Sequence, residues 1–276
     1  MKGHNISRTN LSGLLGAVLL GLIALTAILA PTIYPNDPLD FVAAPYIQPL
    51  TDPLFPFGTD NMGRDILAGV VHGARTSLLV GLGAAIAAIL FGSLIGTIAG
   101  FAGGIIDEIL MRVTEAFQII PSFLLALAFV STFGARIEVV IIAIALSAWA
   151  DPARLIRAQV LSLRERDYVA SARAIGMHPV EIALKQILPV ALVPVFSISA
   201  TIVAAAILIE AGLSFIGLSD PNVVTWGTMI AEGRNVLRTA PYISIIPGIA
   251  LLFTVLSIYL LSEAINDKLI NAKEPR

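Results

Sequence analysis

The chain has 276 residues, of which 57% are hydrophobic and only 13% are charged, and its mean hydropathy is +0.89. A typical soluble domain has about a quarter of its residues charged, so 17 basic and 19 acidic side chains cannot cover so apolar a core. These numbers exclude the soluble classes and indicate a membrane protein. The chain has no cysteine, which excludes disulfides, thiolate metal sites, iron–sulfur clusters and a cysteine nucleophile.

Six apolar stretches predict six transmembrane helices, because a helix needs about 20 apolar residues to cross a bilayer. In chain order they are 11–33, 76–106, 116–135, 137–156, 186–209 and 239–262. Only 139–150 is free of charge in the fourth, so that span must borrow residues on both sides. A cleaved signal peptide is the alternative for the first stretch, but its apolar run is longer than the roughly 7–15 residues of such signals.

The distribution of basic residues predicts the orientation in the membrane. The face that carries the 151–186 loop and both termini holds twelve Lys and Arg residues, and the opposite face holds five. The more basic side of a multi-pass protein is usually cytoplasmic, so both termini are predicted to lie in the cytoplasm. A five-span alternative would place the basic 151–186 loop outside, against this rule.

These spans divide the chain into four parts: a first transmembrane helix (1–36), an outer strap and interfacial helix (37–75), a five-helix core with an inner coupling loop at 157–187 (76–265), and a cytoplasmic tail (266–276). Seven prolines between Pro31 and Pro56 predict that the strap is extended. Asp60 or Asn61 is predicted to cap a short interfacial helix whose apolar face holds Ile66, Leu67, Val70 and Val71. A metal site at Asp60, Asp65 and His72 is the less favoured interpretation, because capping carboxylates are commoner.

Three features of the spans indicate how the helices pack. Small residues recur every four positions in the second span and predict a close helix contact, namely Ala84, Ala88, Gly92, Gly96 and Gly100. Pro121, Pro194 and Pro247 predict kinks, which suit either a cavity lining or packing. Glu210 lies among apolar residues, and the cost of a carboxylate there predicts an interior position. A hydrogen bond inside the protein and contact with a translocated substrate both remain open for Glu210.

The inner 151–186 loop is predicted to contain two short helices. The first runs from about Asp167 through Ile175, Gly176 ends it in a left-handed turn, and Pro179 opens the second. Apolar Val169, Ala172, Ala174 and Ile175 alternate with arginines, which predicts a surface that docks into another protein. Binding to anionic lipid headgroups is the alternative.

The same loop contains a motif with a known counterpart. Ala170-Ser171-Ala172, followed after three residues by Gly176 and after twelve more by Leu188-Pro189, resembles the cytoplasmic signature of permease subunits of binding-protein-dependent ABC importers. Ala170 replaces the leading glutamate of that signature, and Ser171 and Gln186 replace an alanine and an isoleucine. Other stretches resemble the dipeptide/oligopeptide/nickel subfamily: Gly58-Thr59-Asp60, Gly63-Arg64-Asp65, Gly73-Ala74-Arg75, Asp167-Tyr168-Val169, Leu213-Ser214-Phe215 and Trp226-Gly227.

The resemblance implies an all-α type I ABC importer permease fold and a pore subunit of the cytoplasmic (inner) membrane that works by alternating access. Its partners would be a second, homologous permease, two ATPase subunits, an extracytoplasmic solute-binding protein and the lipid bilayer; no nucleic acid is expected. The implied ATPase-coupling residues are Asp167, Tyr168, Ala170, Ser171, Ala172, Gly176, Leu188 and Pro189, and the outer-face motif is Gly58, Thr59, Asp60, Gly63, Arg64 and Asp65. Glu210 is a candidate for the translocation path.

The chain is not expected to be an enzyme, because no lysine follows a glycine in the phosphate-loop pattern. It is expected to bind no cofactor or metal itself, while its partners use ATP and Mg²⁺. The implied substrates are di- and oligopeptides, with nickel complexes, opines and small oligosaccharides as alternatives. An ion-coupled secondary transporter is the alternative class, but no internal repeat is evident and Glu210 has no second intramembrane carboxylate beside it. A membrane enzyme would need clustered groups, whereas His4, His72 and His178 fall in separate parts of the chain.

Overall fold

A computed structural model describes residues 3–271, with the side chains of residues 11–267. Within that range the chain is helical and its only β pairing is an isolated bridge between Thr59 and Asp65. The helices are α1 (Gly3–Ile33), α2 (Ile66–Ala102), α3 (Gly104–Ile119), α4 (Ser122–Phe133), α5 (Ile137–Ala148), α6 (Ala150–Leu163), α7 (Asp167–Ala174), α8 (Pro179–Glu181), α9 (Leu188–Ala191), α10 (Val193–Phe215), α11 (Trp226–Gly233) and α12 (Tyr242–Asn271). A π-helical segment, Ile182–Ile187, joins α8 to α9, and a 3₁₀ turn, Arg234–Val236, follows α11.

The described helices agree with the predicted count of six spans. Four of them, α1, α2, α10 and α12, are each long and apolar enough to cross a bilayer. Two further pairs qualify when each bent pair is taken as one span: α3 with α4, bent by 89°, and α5 with α6, bent by 45°. The last residues of the predicted cytoplasmic tail, 272–276, lie outside the described range.

The predicted interfacial helix is not a separate element. Residues 66–75 form the first turns of α2, which continues without a break to Ala102. Asp65, rather than Asp60 or Asn61, is the N-cap, since its Oδ1 accepts a hydrogen bond of 2.9 Å from Leu67 N. Because of the polar residues in this segment, the predicted span begins too late in the chain. Packing against other outer elements lets α2 start before the apolar stretch.

The predicted third and fourth spans also differ from the observed ones. The third breaks sharply at Ile120 and Pro121, where proline removes a backbone donor, and its first half, α3, begins at Gly104 in spite of four charged residues. The fourth extends through α6 to Leu163, so part of the predicted coupling loop is helix. The fifth begins at Val193 rather than at residue 186, because the π-helical segment and α9 precede it.

α2 is the central helix, and it packs on α1, α5, α6 and α10. The glycines of the small-residue stripe make the predicted close contact, and their partner is α6. A Cβ on Gly92 would collide with the carbonyl oxygen of Trp149, and one on Gly100 would lie 2.9 Å from the carbonyl oxygen of Arg157. Backbones at this distance require glycine, so the stripe fixes how α6 crosses α2 and, through α6, where the inner loop begins.

Candidate functional site

The inner loop carries the first group of candidate residues, on α7 and the turn after it. Gly176 has φ of +80°, the left-handed conformation that was predicted. Gly176 N donates to Arg173 O (3.0 Å) and Met177 N donates to Ala172 O (3.1 Å), which is the hydrogen-bond pattern of a Schellman motif. Pro179 begins α8, also as predicted. The turn therefore has one defined shape, set by glycine and these two hydrogen bonds.

The two sides of α7 have different environments. Val169 and Ala172 are buried in a cluster of aliphatic side chains from α6, the π-helical segment and α10, among them Ile156, Val160 and Ile187. Asp167, Tyr168, Ala170, Ser171, Ile175 and Gly176 are exposed. The prediction that Val169 and Ala172 belong to the docking surface is wrong, because their side chains hold α7 to its own chain. The exposed face is what remains for a partner.

Leu188 and Pro189 lie where the inner loop becomes a membrane helix. Pro189 has no N–H, so the ordinary helical hydrogen bond to the carbonyl four residues earlier cannot form, and the chain before it adopts a wider π-helical turn. Ile187 is fully buried in the same cluster as Val169. The motif thus connects α7 to α10 through a packed, bent segment.

Arginines assigned from sequence to the basic loop instead hold α6 to the last turn of α2 and to both ends of α3. The Arg157 guanidinium makes two hydrogen bonds to Asp107, of 2.5 Å to Oδ1 and 2.7 Å to Oδ2. Arg164 Nη1 donates to Gly100 O at 3.0 Å. Arg154 donates to Gln118, which in turn donates to Asp151. These links were not predicted from the sequence, and the signal that could have indicated them is the presence of opposite charges on α3 and α6.

The outer-face motif, residues 58–65, holds the strap against the start of α2. Gly58 and Gly63 have φ of +77° and +80°, and a side chain on either would strike the strap backbone. Thr59 Oγ1 donates to Ala44 O (2.7 Å) and accepts from Ile47 N (2.9 Å), while Asp60 Oδ1 accepts from Met62 N and Arg64 N. The side chains of Thr59 and Asp60 thus stabilise the strap and the turn that follows it, which argues for a structural role of these two residues. Among the described residues no group of three metal-binding side chains occurs.

The Arg64 side chain extends from the outer-face motif to the outer helix α11. Its Nη1 lies 3.2 Å from Glu232 Oε1, and its guanidinium stacks over the Phe41 ring at 5.6 Å. Burial raises the pKa of Glu232, and the Arg64 charge only partly offsets that effect. The ion pair lies on the wall of an outer cavity of about 340 Å³ between the strap, α2, the end of α10 and α11.

Glu210 lies near the outer end of α10 and is only 3% exposed, as its predicted interior position requires. Its Oε1 accepts a hydrogen bond of 2.6 Å from Ser214 Oγ. The Ser77 and Thr225 hydroxyl groups also face the carboxylate, and the adjoining recess is only about 10 Å³. Within the described part of the chain, Glu210 forms no ion pair. The structure brings Glu210 close to the outer elements and leaves it far from the inner loop.

The structure is that of an all-α, multi-pass membrane protein with a structured inner loop and an outer strap that the outer-face motif holds against α2. A model of the family described as binding-protein-dependent transport system inner membrane component matches residues 89–271. The chain belongs to this family.

Similar proteins agree with that assignment. The chain is 42% identical over 255 residues to a probable peptide ABC transporter permease protein of Sinorhizobium fredii, covering 92% of this chain and 87% of the relative. It is 34% identical to a di/tripeptide transport system permease protein of Pseudomonas aeruginosa (94% and 88%), and 32% identical to an oligopeptide transport system permease protein of Bacillus subtilis (95% and 86%).

A solved structure of the MetNI methionine ABC transporter in inward-facing conformations matches the fold with a TM-score of 0.55 and 17% identity. The match covers 76% of this chain and 98% of the solved chain. The predicted type I ABC importer permease fold is confirmed.

Proposed function

We propose that this chain is a pore-forming permease subunit of an ATP-driven importer for di- and oligopeptides. Relatives at 32–42% identity, aligned over nearly their whole length, are named for peptide, di/tripeptide and oligopeptide transport, and this observation carries the proposal. Their names give no support to nickel complexes, opines or oligosaccharides as substrates. The chain forms one half of the pore, and a second, homologous permease forms the other half.

The inner loop couples the pore to two ATPase subunits. α7 presents Tyr168, Ala170, Ser171 and Ile175 outward, while Val169 and Ala172 fix it to α6 and α10. Force applied to the exposed face therefore passes directly into two membrane helices, because close-packed aliphatic contacts transmit displacement rather than absorb it. ATP and Mg²⁺ bind to the partner subunits, and the absence of a phosphate-loop pattern in this sequence supports that division of labour.

The outer side receives substrate from an extracytoplasmic solute-binding protein. The outer-face motif and the Arg64–Glu232 ion pair hold the strap and α11 in one conformation. This suits a fixed surface on which the solute-binding protein docks. Both termini lie in the cytoplasm, as the distribution of lysine and arginine favours. Of the two roles considered for Glu210, a hydrogen bond inside the protein is the better supported, because the carboxylate is buried and already accepts from Ser214.

The proposal is tested with the importer reconstituted in proteoliposomes from this chain, its permease partner, the two ATPases and the cognate binding protein. Radiolabelled dipeptides, longer peptides, a nickel chelate and an oligosaccharide are each supplied outside with ATP inside. We expect ATP-dependent uptake of peptides, and no uptake when the binding protein is omitted. Uptake of the nickel chelate alone would contradict the peptide assignment, and uptake driven by an ion gradient without ATP would contradict the importer class.

A further inference from the structure

The outer helix α11 is packed deep in the molecule, although it lies between two spans. Trp226, at its first position, is 1% exposed, and its Nε1 donates to Val70 O of α2 at 3.0 Å. A Cβ on Gly227 would lie 2.7 Å from both Ala211 Cα and Ser214 Cβ of α10. α11 therefore contacts the backbones of two membrane helices at once.

A chain of hydrogen bonds leads from the start of α11 to Glu210. Thr225, the N-cap of α11, accepts from Thr228 N (3.2 Å) through its Oγ1 and donates to Ser214 Oγ (3.4 Å). Ser214 Oγ then donates to Glu210 Oε1 (2.6 Å). A hydroxyl group has one proton to donate, so the acceptor at the end of the chain sets the direction of every bond in it. That acceptor is Glu210.

A second hydroxyl group approaches the same carboxylate from α2. The Trp226 backbone N–H donates to Ser77 Oγ at 3.3 Å, and the Ser77 hydroxyl faces Glu210. Ser77, Ser214 and Thr225 are each at most 3% exposed, so no bulk water can replace a lost acceptor. A buried hydroxyl left without its acceptor costs free energy that an exposed one does not.

We propose that Glu210 is the positioning residue that seats α11 on α2 and α10, so that these three helices move as one rigid unit during transport. The carboxylate acts through Ser214 and Thr225 and not through contact with substrate. α11 is accordingly a fixed part of the outer face rather than a lid. The seating of α11 is independent of the proposed function, and the common movement of the three helices rests on it.

The cysteine-free chain allows a direct test of the seating. Met229, 8% exposed, faces Gly69 of α2, so Met229→Cys reports whether α11 leaves α2. In the assembled importer we expect a membrane-impermeant maleimide to label Met229→Cys about five- to tenfold faster when Glu210→Leu is added, because one buried acceptor is lost. Glu210→Gln keeps an acceptor oxygen and should restore slow labelling, and Ser214→Ala should match Glu210→Leu without adding to it.

The control is Ala143→Cys, fully buried in α5, which should remain protected in every background. Unchanged labelling of Met229→Cys in Glu210→Leu, equally fast labelling in Glu210→Gln, or exposure of Ala143→Cys in Glu210→Leu would each overturn the seating role. None of these readouts requires transport, so they are independent of the peptide importer proposal.

The movement is tested by joining Gly69→Cys and Met229→Cys with a short thiol cross-linker in the reconstituted importer. We expect peptide uptake by the cross-linked protein to stay within about twofold of the same variant before cross-linking. Loss of uptake on cross-linking would overturn the rigid unit and show that α11 separates from α2 in each cycle. If the variant transports no substrate even before cross-linking, the labelling of Met229→Cys decides the seating. A Gly81→Cys/Ile207→Cys pair, which joins α2 to α10 within the same unit, then replaces it for the movement.

Discussion

Single arginine–carboxylate pairs connect elements at each end of the molecule. At the inner end Arg157 makes two hydrogen bonds to Asp107, and at the outer end Arg64 makes one contact of 3.2 Å with Glu232. The two-point contact fixes the orientation of the guanidinium, whereas the single contact leaves it freer. The outer pair is therefore the weaker of the two, and its carboxyl group is the one whose pKa burial raises.

The raised pKa of Glu232 predicts a pH dependence of stability. The folded protein holds this proton to a higher pH than the unfolded chain does, so the stabilisation is complete below the ordinary glutamate range and is lost as pH rises through the raised pKa. Glu232→Gln cannot titrate and should remove this contribution. Melting temperatures of the purified protein in detergent, measured from about pH 4 to pH 8, should fall with pH more steeply in the parent than in Glu232→Gln.

Glu138→Gln, at an exposed outer position, controls for the removal of one carboxylate and should keep the parent slope. Parallel curves of melting temperature against pH for the parent and Glu232→Gln would show that the titration of Glu232 does not contribute to stability.

Gly176 is the residue at which backbone conformation alone limits substitution. Nothing lies within 4 Å of a Cβ there, so the cost of Gly176→Val comes from its φ of +80° and amounts to about 1–2 kcal/mol. We expect Gly176→Val to weaken ATPase assembly or to uncouple hydrolysis from transport, measured as peptide transported per ATP hydrolysed. Gly176→Asn, which tolerates the left-handed region, should stay close to the parent. Normal coupling by Gly176→Val would show that this turn has no part in transmission.

Among the elements, α2 determines the packing of the others. Its outer turns contact α11, its middle contacts α10 and α5, and its glycine stripe contacts α6. Because α6 leads directly to α7, a displacement of the inner loop reaches α2 through contacts between backbones. A helix in this position has little freedom to bend separately from its neighbours.

The stripe gives a prediction about α6. Gly92→Ala places a methyl group against the Trp149 carbonyl and should lower the free energy of unfolding by about 1–3 kcal/mol, as overpacking does elsewhere. Gly248→Ala in α12 meets nothing within 4 Å and should leave stability unchanged or slightly raised. Thermal melting in detergent compares the two. Equal melting temperatures for both variants would mean that α6 can shift away from α2 at little cost.

At the scale of the whole molecule, the outer-face motif and the inner loop lie at opposite ends of the helix bundle. The orientation proposed from basic residues can be tested in the cysteine-free background with Asn36→Cys, directly before the strap, and Ser162→Cys at the end of α6, both exposed positions. We expect an impermeant maleimide to label Asn36→Cys in spheroplasts and Ser162→Cys only after permeabilisation. The reverse pattern would invert the topology.

Sequence alone determined the features that depend on composition and short-range pattern. Membrane location and the number of spans follow from apolar length, the end of α7 follows from a glycine three residues before a proline, and the α2 contact face follows from small residues at every fourth position. Each of these has its physical cause within a few turns of chain, so no distant partner was needed to predict it.

Tertiary structure decided the rest, because the causes lie far apart in sequence. α2 begins ten residues before the predicted span since Gly69 and Gly73 pack on α11, more than 150 residues later in the chain. Val169 points inward because α6 and α10 offer it an aliphatic surface, and the charges of Asp107 and Arg157 neutralise each other across 50 residues. Glu210 could be predicted to need a buried partner, but only the packing of α11 against α10 shows that the partner is a hydroxyl chain ending at Thr225.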